Sequence, residues 1–454
     1  MSASAVSSVH LQTRMPPRAS AWTSQFLLFA LFFVGLMLLH VPLLRLPYFW
    51  DEAGYYVPVA RDLYLSGSPI PTSTVSNAHP PLVMAWLAFT WRIFGYSTLV
   101  TRTAMLALAA FSLLGLFRLA RSAANVQIAS AVTALTAIYP VFFTQSSLAQ
   151  VDLPAAGFTF WALAAYIEDR PWKTVIWFLL AALAKETAIL APLALLAWQI
   201  FAPLIRRWRA EVAPPPERKM HGFHLLLSFL PLACWFAYHR AKTGFVFGNP
   251  DFVRYNVATT LNPLRIPIAF ALRLWQVFGY FGLYFLTLAA LLALFRPPLA
   301  ENSIPRPRIA IWIQAAFAVI ILSYLVFMSA VGGAVLARYL LPVLPLVILL
   351  FVSTLWRRLH HWKLIVIAVA VAFAAGLFTN PPYGFSLEDN LAYRDFVVMH
   401  AQASQFLAMR YPRSTVLTAW PASDELTRPW LGYMAHPFRV VRIEDFTSPQ
   451  IALA

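Results

Sequence analysis

Asp51 and Glu52 stand side by side in the run Tyr48-Phe49-Trp50-Asp51-Glu52-Ala53, directly after the first apolar stretch of the chain. Adjacent carboxylates at the edge of such a stretch are costly unless they are solvated or used. Polar residues punctuate later stretches in the same way. His79 precedes Pro80-Pro81, Gln150 and Asp152 share a short turn, Lys185-Glu186 interrupts a long apolar run, and Arg338-Tyr339 opens another. A carboxylate such as Asp51 or Asp152 can act as general base toward a hydroxyl or amine, worth about 10²–10⁴-fold in rate. Lys185 and Arg338 can hold a phosphate leaving group and stabilise its developing charge. A second acid, Glu52, or an acid with His79, can bind a divalent cation that does the same. Carboxylates favour Mg²⁺ or Mn²⁺, and a histidine admits Zn²⁺.

Each of these residues also has a structural reading. An acid of the pair can cap a helix starting near Ala53, although a cap needs one acid rather than two. Asp152, ahead of Leu153-Pro154, can be an N-cap. Lys185 and Glu186 can pair locally at a helix break. His79 can be a satisfied interfacial histidine and Arg338 an interfacial anchor. What favours chemistry is that all of them map to the same side of a membrane once the spans are placed.

The 454 residues are 60% hydrophobic and 11% charged, with mean hydropathy +0.67. Globular proteins carry about 25% charged residues, so the chain is expected to be an all-α polytopic membrane protein. Spans of about 20 apolar residues fit near 26–44, 99–117, 126–145, 153–168, 173–186, 187–205, 222–239, 276–295, 309–329, 339–356 and 364–380. The first span has Arg14 and Arg18 before it and the bulky Leu46-Pro47-Tyr48 after it, so no signal cleavage is expected. The net charge of +16 lies in short runs between spans, which points to the positive-inside rule and not to nucleic acid. With the N-terminus inside, segments 1–25, 118–125, 169–173, 206–221, 296–308 and 357–363 face the cytoplasm. They hold 17 of the 34 Lys and Arg residues, Arg118, Arg206, Arg207, Arg209, Arg218, Arg296, Arg357 and Arg358 among them. Counting Pro80–Gly95 as a span would break that agreement. Its Trp86, Trp91 and Arg92 suit a helix lying at the outer surface.

The organisation expected is a cytoplasmic tail at 1–25, a membrane domain at 26–380 with a first outer loop at 45–98, and an outer C-terminal region at 381–454. Segment 240–275 is expected outside and 206–221, with Pro214-Pro215-Pro216, in a flexible inner loop. The tail carries Glu388, Asp389, Asp395, Asp424, Glu425, Glu444 and Asp445. Helical spacing at 391–410 and short strands at 414–418 and 439–443 predict a small α/β unit. Cys234 is the single cysteine, so no internal disulfide forms, and its apolar setting predicts an inert core residue.

Taken in order, these motifs resemble the polyprenyl-phosphate-sugar-dependent glycosyltransferases of the GT-C fold. The resemblance is nearest to bacterial relatives of protein O-mannosyltransferases and to aminoarabinose transferases, families 39 and 83 of the glycosyltransferases. It runs over residues 26–345: the Asp51-Glu52 pair, Ala60-Arg61, Gly67, His79-Pro80-Pro81-Leu82, Phe94-Gly95, Arg102, Gln150-Val151-Asp152, Leu183-Ala184-Lys185-Glu186-Thr187 and Arg338-Tyr339-Leu340-Leu341-Pro342 with Pro345. The resemblance implies Asp51 as base or acceptor-orienting carboxylate and Asp152 as a second acid near the donor, with Glu52 beside them. Lys185 and Arg338 would meet the lipid-linked phosphate, and Arg61, His79, Glu186 and Tyr339 would line the substrate site. Aminoarabinose transferases often carry Glu-Lys where Ala78-His79 stand here, and an Arg where Gly54 stands. The tail does not resemble the β-trefoil insert of eukaryotic protein mannosyltransferases.

The function implied is an integral membrane glycosyltransferase that moves a sugar from a polyprenyl-phosphate donor to a protein, lipid or glycan acceptor at the outer face of the cell membrane. Its cofactor would be a divalent cation or none, with Glu52 and His79 as candidate metal ligands. The alternative is a secondary transporter or flippase of a lipid-linked or anionic solute. Transporters place charges near the midplane and use paired repeats, whereas here charges gather at one rim and no repeat is visible. A non-catalytic assembly protein is a third reading.

Overall fold

The computed structural model describes residues 18–208, 219–250, 253–254, 257, 260–331 and 333–443. Arg14, Arg209, Arg218, the triple proline at 214–216, Glu444 and Asp445 therefore lie outside the described residues. So do the side chains of Arg18, Arg206 and Arg207.

The first helix, α1 (Arg18–His40), ends in a short 3-10 turn, Val41–Leu43. A long connection follows, with a π-helical turn at Glu52–Tyr56, α2 (Val57–Ser66) and α3 (Leu82–Phe94). α3 is 13 residues long, or ~20 Å, too short to cross a bilayer core of about 30 Å. Its Phe89, Ile93 and Phe94 are exposed while Val83, Leu87 and Trp91 are buried.

The bundle continues with α4 (Thr98–Ala123) and α5 (Val126–Ile138). Ser97 and Asn125 cap these two helices by accepting from Val100 N and Ile128 N. Pro140 breaks the expected 126–145 span, so α6 (Pro140–Gln145) is a separate short helix. Next come α7 (Asp152–Ile167), α8 (Pro171–Ala184) and α9 (Leu190–Trp208), with a 3-10 turn at Glu186–Ile189 joining the last two. The long apolar run is thus divided at Lys185-Glu186. α10 (Gly222–Leu227) and α11 (Leu230–Thr243) follow.

α12 (Arg265–Phe278) begins within the segment expected to be an outer connection. Gly279 and Gly282 kink it into α13 (Leu283–Leu294). The 265–278 stretch mixes Arg265, Arg273 and Gln276 with apolar residues, and this polarity hides the helix from a hydropathy reading. α14 (Ile311–Ala330), a 3-10 turn at Ala337–Leu340, α15 (Leu344–Arg358) and α16 (Trp362–Phe378) complete the bundle. Among the described residues, six helices or helix runs are long and apolar enough to cross a membrane, and the chain is a multi-pass membrane protein.

Two strand pairs are small. β1 (Ala300–Glu301) pairs antiparallel with β2 (Ile304–Pro305), Ala300 opposite Pro305. In the tail, β3 (Thr415–Thr418) pairs in parallel with β4 (Arg439–Arg442), Thr415 opposite Arg439. α17 (Ala392–Arg410) precedes them and α18 (Ala422–Thr427) packs on β4, so the tail has the α/β character expected. It does not make a core of its own. Leu391, Tyr393, Val397, Leu426, Leu431 and Tyr433 share one buried cluster with Tyr48, Phe49, Tyr55 and Tyr56. Tyr48 N donates to Leu431 O at 3.2 Å, and Tyr433 donates its hydroxyl to Tyr48 O at 3.0 Å.

Connections that alternate along the chain meet at opposite ends of the bundle. At one end, Arg118 Nε donates to Glu168 at 2.8 Å, Trp356 donates to Gln127 at 3.0 Å, and Leu299 N donates to Arg357 O at 2.8 Å. At the other end lie 44–97, 146–151, 333–343 and the tail as far as 443. Cys234 is exposed on α11, not in the core. In a membrane bundle an apolar neighbourhood does not imply burial, because outward faces meet lipid.

Candidate active site

Arg338 is the centre of the second end. The 3-10 turn Ala337–Leu340, between α14 and α15, presents this side chain, 2% exposed, to three carboxylates. Its Nη2 donates to Asp51 Oδ2 and its Nη1 to Glu388 Oε2. Nη1 also donates to Gln150 Oε1 at 2.7 Å. Nε lies 3.3 Å from Asp152 Oδ2. That contact is ionic only, since neither atom makes a hydrogen bond. Lys185 Nζ donates to Asp152 Oδ1 and stands 4.0 Å from the Tyr339 ring centre. Asp51, Asp152, Lys185, Arg338 and Tyr339, which come from four distant stretches, are thus in one cluster. Asp51 is its most open carboxylate, with 36% of its side chain exposed against 2% for Asp152 and 3% for Glu388.

Local sequence explains the convergence. Asp152 opens α7 and Lys185 ends α8, so an antiparallel helix pair brings them together. Asp51 begins the π-helical turn. Trp50 before it has φ of +43°, a region that bulky residues rarely adopt and that costs about 1–3 kcal/mol. Glu388 comes from the tail, in a 3-10 turn whose Ser386 and Asp389 form a capping box. Gln150 Nε2 donates to Glu388 Oε2 at 2.9 Å. Burial, with the Asp51 and Asp389 charges nearby, outweighs Arg338 and pushes Glu388 up to about 7. Burial likewise raises Asp389 to about 6, despite the hydrogen bond it accepts from Tyr280.

Glu52 faces away from this cluster. It is fully buried and ion-paired with Arg102 through Nη1 and through Nη2 at 3.0 Å. It also accepts from Phe49 N at 2.9 Å and from Ala149 N. His79 pairs with Glu186, Nδ1 to Oε2, at 3.0 Å, and its ring packs against Tyr55 and Tyr56. Glu52 and His79, each bound elsewhere, do not form a joint ligand set. Among the described residues no three His, Cys, Asp or Glu side chains are grouped to hold a metal ion. Arg61 stands apart, its guanidinium 5.0 Å from the Trp430 ring centre.

Two participants, Glu388 and Arg273, escape a reading by motif, and a third has no role in it. Glu388 lies in a tail read as separate, and only the Ser386–Asp389 capping-box pattern marks its turn. Arg102 belongs to the motif order of the resemblance, without a role; the structure pairs it with Glu52. Arg273 is fully buried on α12, donates to Leu336 O at 2.6 Å and to Gln276 Oε1 at 2.8 Å, and sits 5.7 Å from the Tyr339 ring centre. The site therefore gathers Arg338, Lys185 and Arg273 around one tyrosine, with an accessible carboxylate alongside. Such an arrangement can receive an anionic group and take a proton from a nucleophile next to it.

No protein-family model matches the sequence, and a search of curated proteins finds no match. Solved structures do match. The aminoarabinose transferase ArnT from Cupriavidus metallidurans bound to undecaprenyl phosphate superposes with a TM-score of 0.56 at 15% identity, over 95% of this chain and 89% of that one. Its apo state gives 0.53 at 16% identity, over 92% and 86%. The apo oligosaccharyltransferase of Archaeoglobus fulgidus gives 0.49 at 13% identity, over 92% and 64%. With nearly its full length superposed on ArnT, the chain has the GT-C fold of membrane glycosyltransferases.

Proposed function

We propose that the protein is a membrane glycosyltransferase that takes a sugar from a polyprenyl-phosphate donor. The observation that carries this reading is the Arg338 cluster, in which buried cations and an accessible Asp51 meet at one end of a membrane bundle. The donor tail is lipid while sugar and acceptor are aqueous, so the reaction belongs at that boundary. ArnT's capture of undecaprenyl phosphate on the same fold supports it.

Asp51 takes the proton of the acceptor hydroxyl or amine as that atom attacks the anomeric carbon. The bond to the phosphate oxygen breaks and polyprenyl phosphate leaves. Arg338 and Lys185 hold the phosphate, exchanging part of their present pairing with Asp51, Glu388 and Asp152. Tyr339 lines the site beneath them, and the His79–Glu186 pair, next to Lys185 in sequence, lies at its margin. The site faces the outside of the cell membrane and the N-terminus the cytoplasm, in keeping with the basic residues at the opposite end. A divalent cation is a further proposal; Asp51 and Glu388 are the carboxylates that could give up Arg338 to meet one.

Cells lacking the protein should accumulate a polyprenyl-phosphate-linked sugar, which the purified protein then consumes. Asp51→Asn should reduce transfer by about 10²–10⁴-fold while undecaprenyl phosphate still binds. Asn caps a helix about as well as Asp, so transfer at the parent rate would make Asp51 structural and remove the reading's main support.

A further inference from the structure

We propose that Trp50 and Trp420 form an aromatic corner beside Asp51 that seats the pyranose ring of a sugar-bearing acceptor. The inference rests on the reading of Asp51 as the base in glycosyl transfer. Trp50 directly precedes Asp51, and its left-handed backbone turns the indole outward, 38% exposed, while Phe49 is buried. Trp420, from the tail, is 37% exposed. The two rings meet edge to face, 4.7 Å between centres and 71° between planes.

The corner is built against the acidic turn itself. A Cβ at Gly54 would lie 3.0 Å from Trp420 Cζ2, so glycine at that position lets the indole lie on the first turn after Asp51. On the far side Phe396 stands 6.2 Å from Trp50 and stacks on His400 at 4.0 Å. Trp50 packs on Phe49 and Trp420 on Gly54, yet more than a third of each residue stays open beside Asp51. Binding sites combine aromatic walls with a few placed polar groups. A pyranose matches that pairing: its C–H face suits an indole and its hydroxyl rim suits Asp51, while the His400 imidazole behind Phe396 is held by Glu425, Nδ1 to Oε2 at 2.6 Å. An acceptor sugar resting there would present a hydroxyl next to the carboxylate that must deprotonate it.

The test uses the full-length protein in nanodiscs with methyl α-mannopyranoside, methyl β-glucopyranoside and methyl β-galactopyranoside as probes, read by saturation-transfer NMR. At least one glycoside should show ring-proton transfer. Its affinity should fall about tenfold in Trp420→Ala, and also fall in Trp50→Ala. Trp420→Phe, which keeps an aromatic face and the tail's packing, should retain most of the signal. No ring-proton transfer with any glycoside, or equal affinity in parent and both alanine variants, overturns the corner. Undecaprenyl phosphate binding by the parent is measured in the same samples. If that fails while glycoside binding depends on Trp420, the transferase reading falls and the corner stands.

Discussion

Arg338 is shared among Asp51, Glu388, Gln150 and Asp152, so an arriving phosphate must displace one of them. Burial lifts Glu388 from the usual 4.5 to about 7, so it is neutralised near neutral pH. A carboxyl raised in the folded state holds its proton more tightly there than in the unfolded chain. Its contribution to stability is therefore complete below about pH 4.5 and is lost as pH rises through 7. The same protonation loosens Glu388 from Arg338. Lowering the pH from 8 to 6 should tighten binding of an anionic donor, and Glu388→Gln should bind it at pH 8 about as the parent does at pH 6. Undecaprenyl phosphate also takes up a proton near pH 6, and Asp389 titrates near 6, so parent and variant are compared at each pH. A pH profile unchanged by Glu388→Gln would remove Glu388 from control of the site.

The elements around the site are held by a second ion pair that does different work. Glu52 and Arg102 join the turn at 47–52, the start of α4 and the turn at 147–149 through six hydrogen bonds. Both side chains are buried, so removing one partner leaves the other charge unpaired, at about 3–5 kcal/mol. We therefore assign Glu52 a positioning role. Glu52→Gln should lower the melting temperature in detergent markedly, whereas Asp51→Asn, at a more open position, should barely move it. A Glu52→Gln protein that melts with the parent yet transfers no sugar would return Glu52 to the chemistry. The tail is bound into the same region, with Tyr433, Leu431 and Trp430 on the 48–96 connection and Glu388 on Arg338. Glu388 brings the tail into the Arg338 cluster, so truncation after Asn380 should weaken undecaprenyl phosphate binding as well as acceptor use.

For the whole molecule, basic residues at one end and the acid–cation cluster at the other define an orientation that can be measured. A reporter fused after Asn380 should be active only outside the cytoplasm, and one placed in the connection between α4 and α5 only inside. The reverse pattern would put the Arg338 cluster on the cytoplasmic face and dismiss an outer-leaflet donor.

Much of this was legible in residue order. Hydropathy marked the helices because each span must satisfy its own backbone hydrogen bonds in lipid, and Asp51, Asp152, Lys185 and Arg338 stood out because charges at span ends are expensive. Alternation of span direction then placed them at one end. The sequence could not say which acid of the adjacent pair faces Arg338, since that depends on the π-helical turn and on Trp50's backbone. It could not place Glu388 or Trp420 at the site, because their approach comes from a shared core between the tail and the first connection, more than 300 residues away in the chain. Nor could it reveal α12, whose polar face is buried by loop carbonyls and not by periodic apolar packing. Local periodicity and the dielectric of the membrane act on each segment alone. The pairing of charges depends on contacts between distant segments, and only the folded chain decides those.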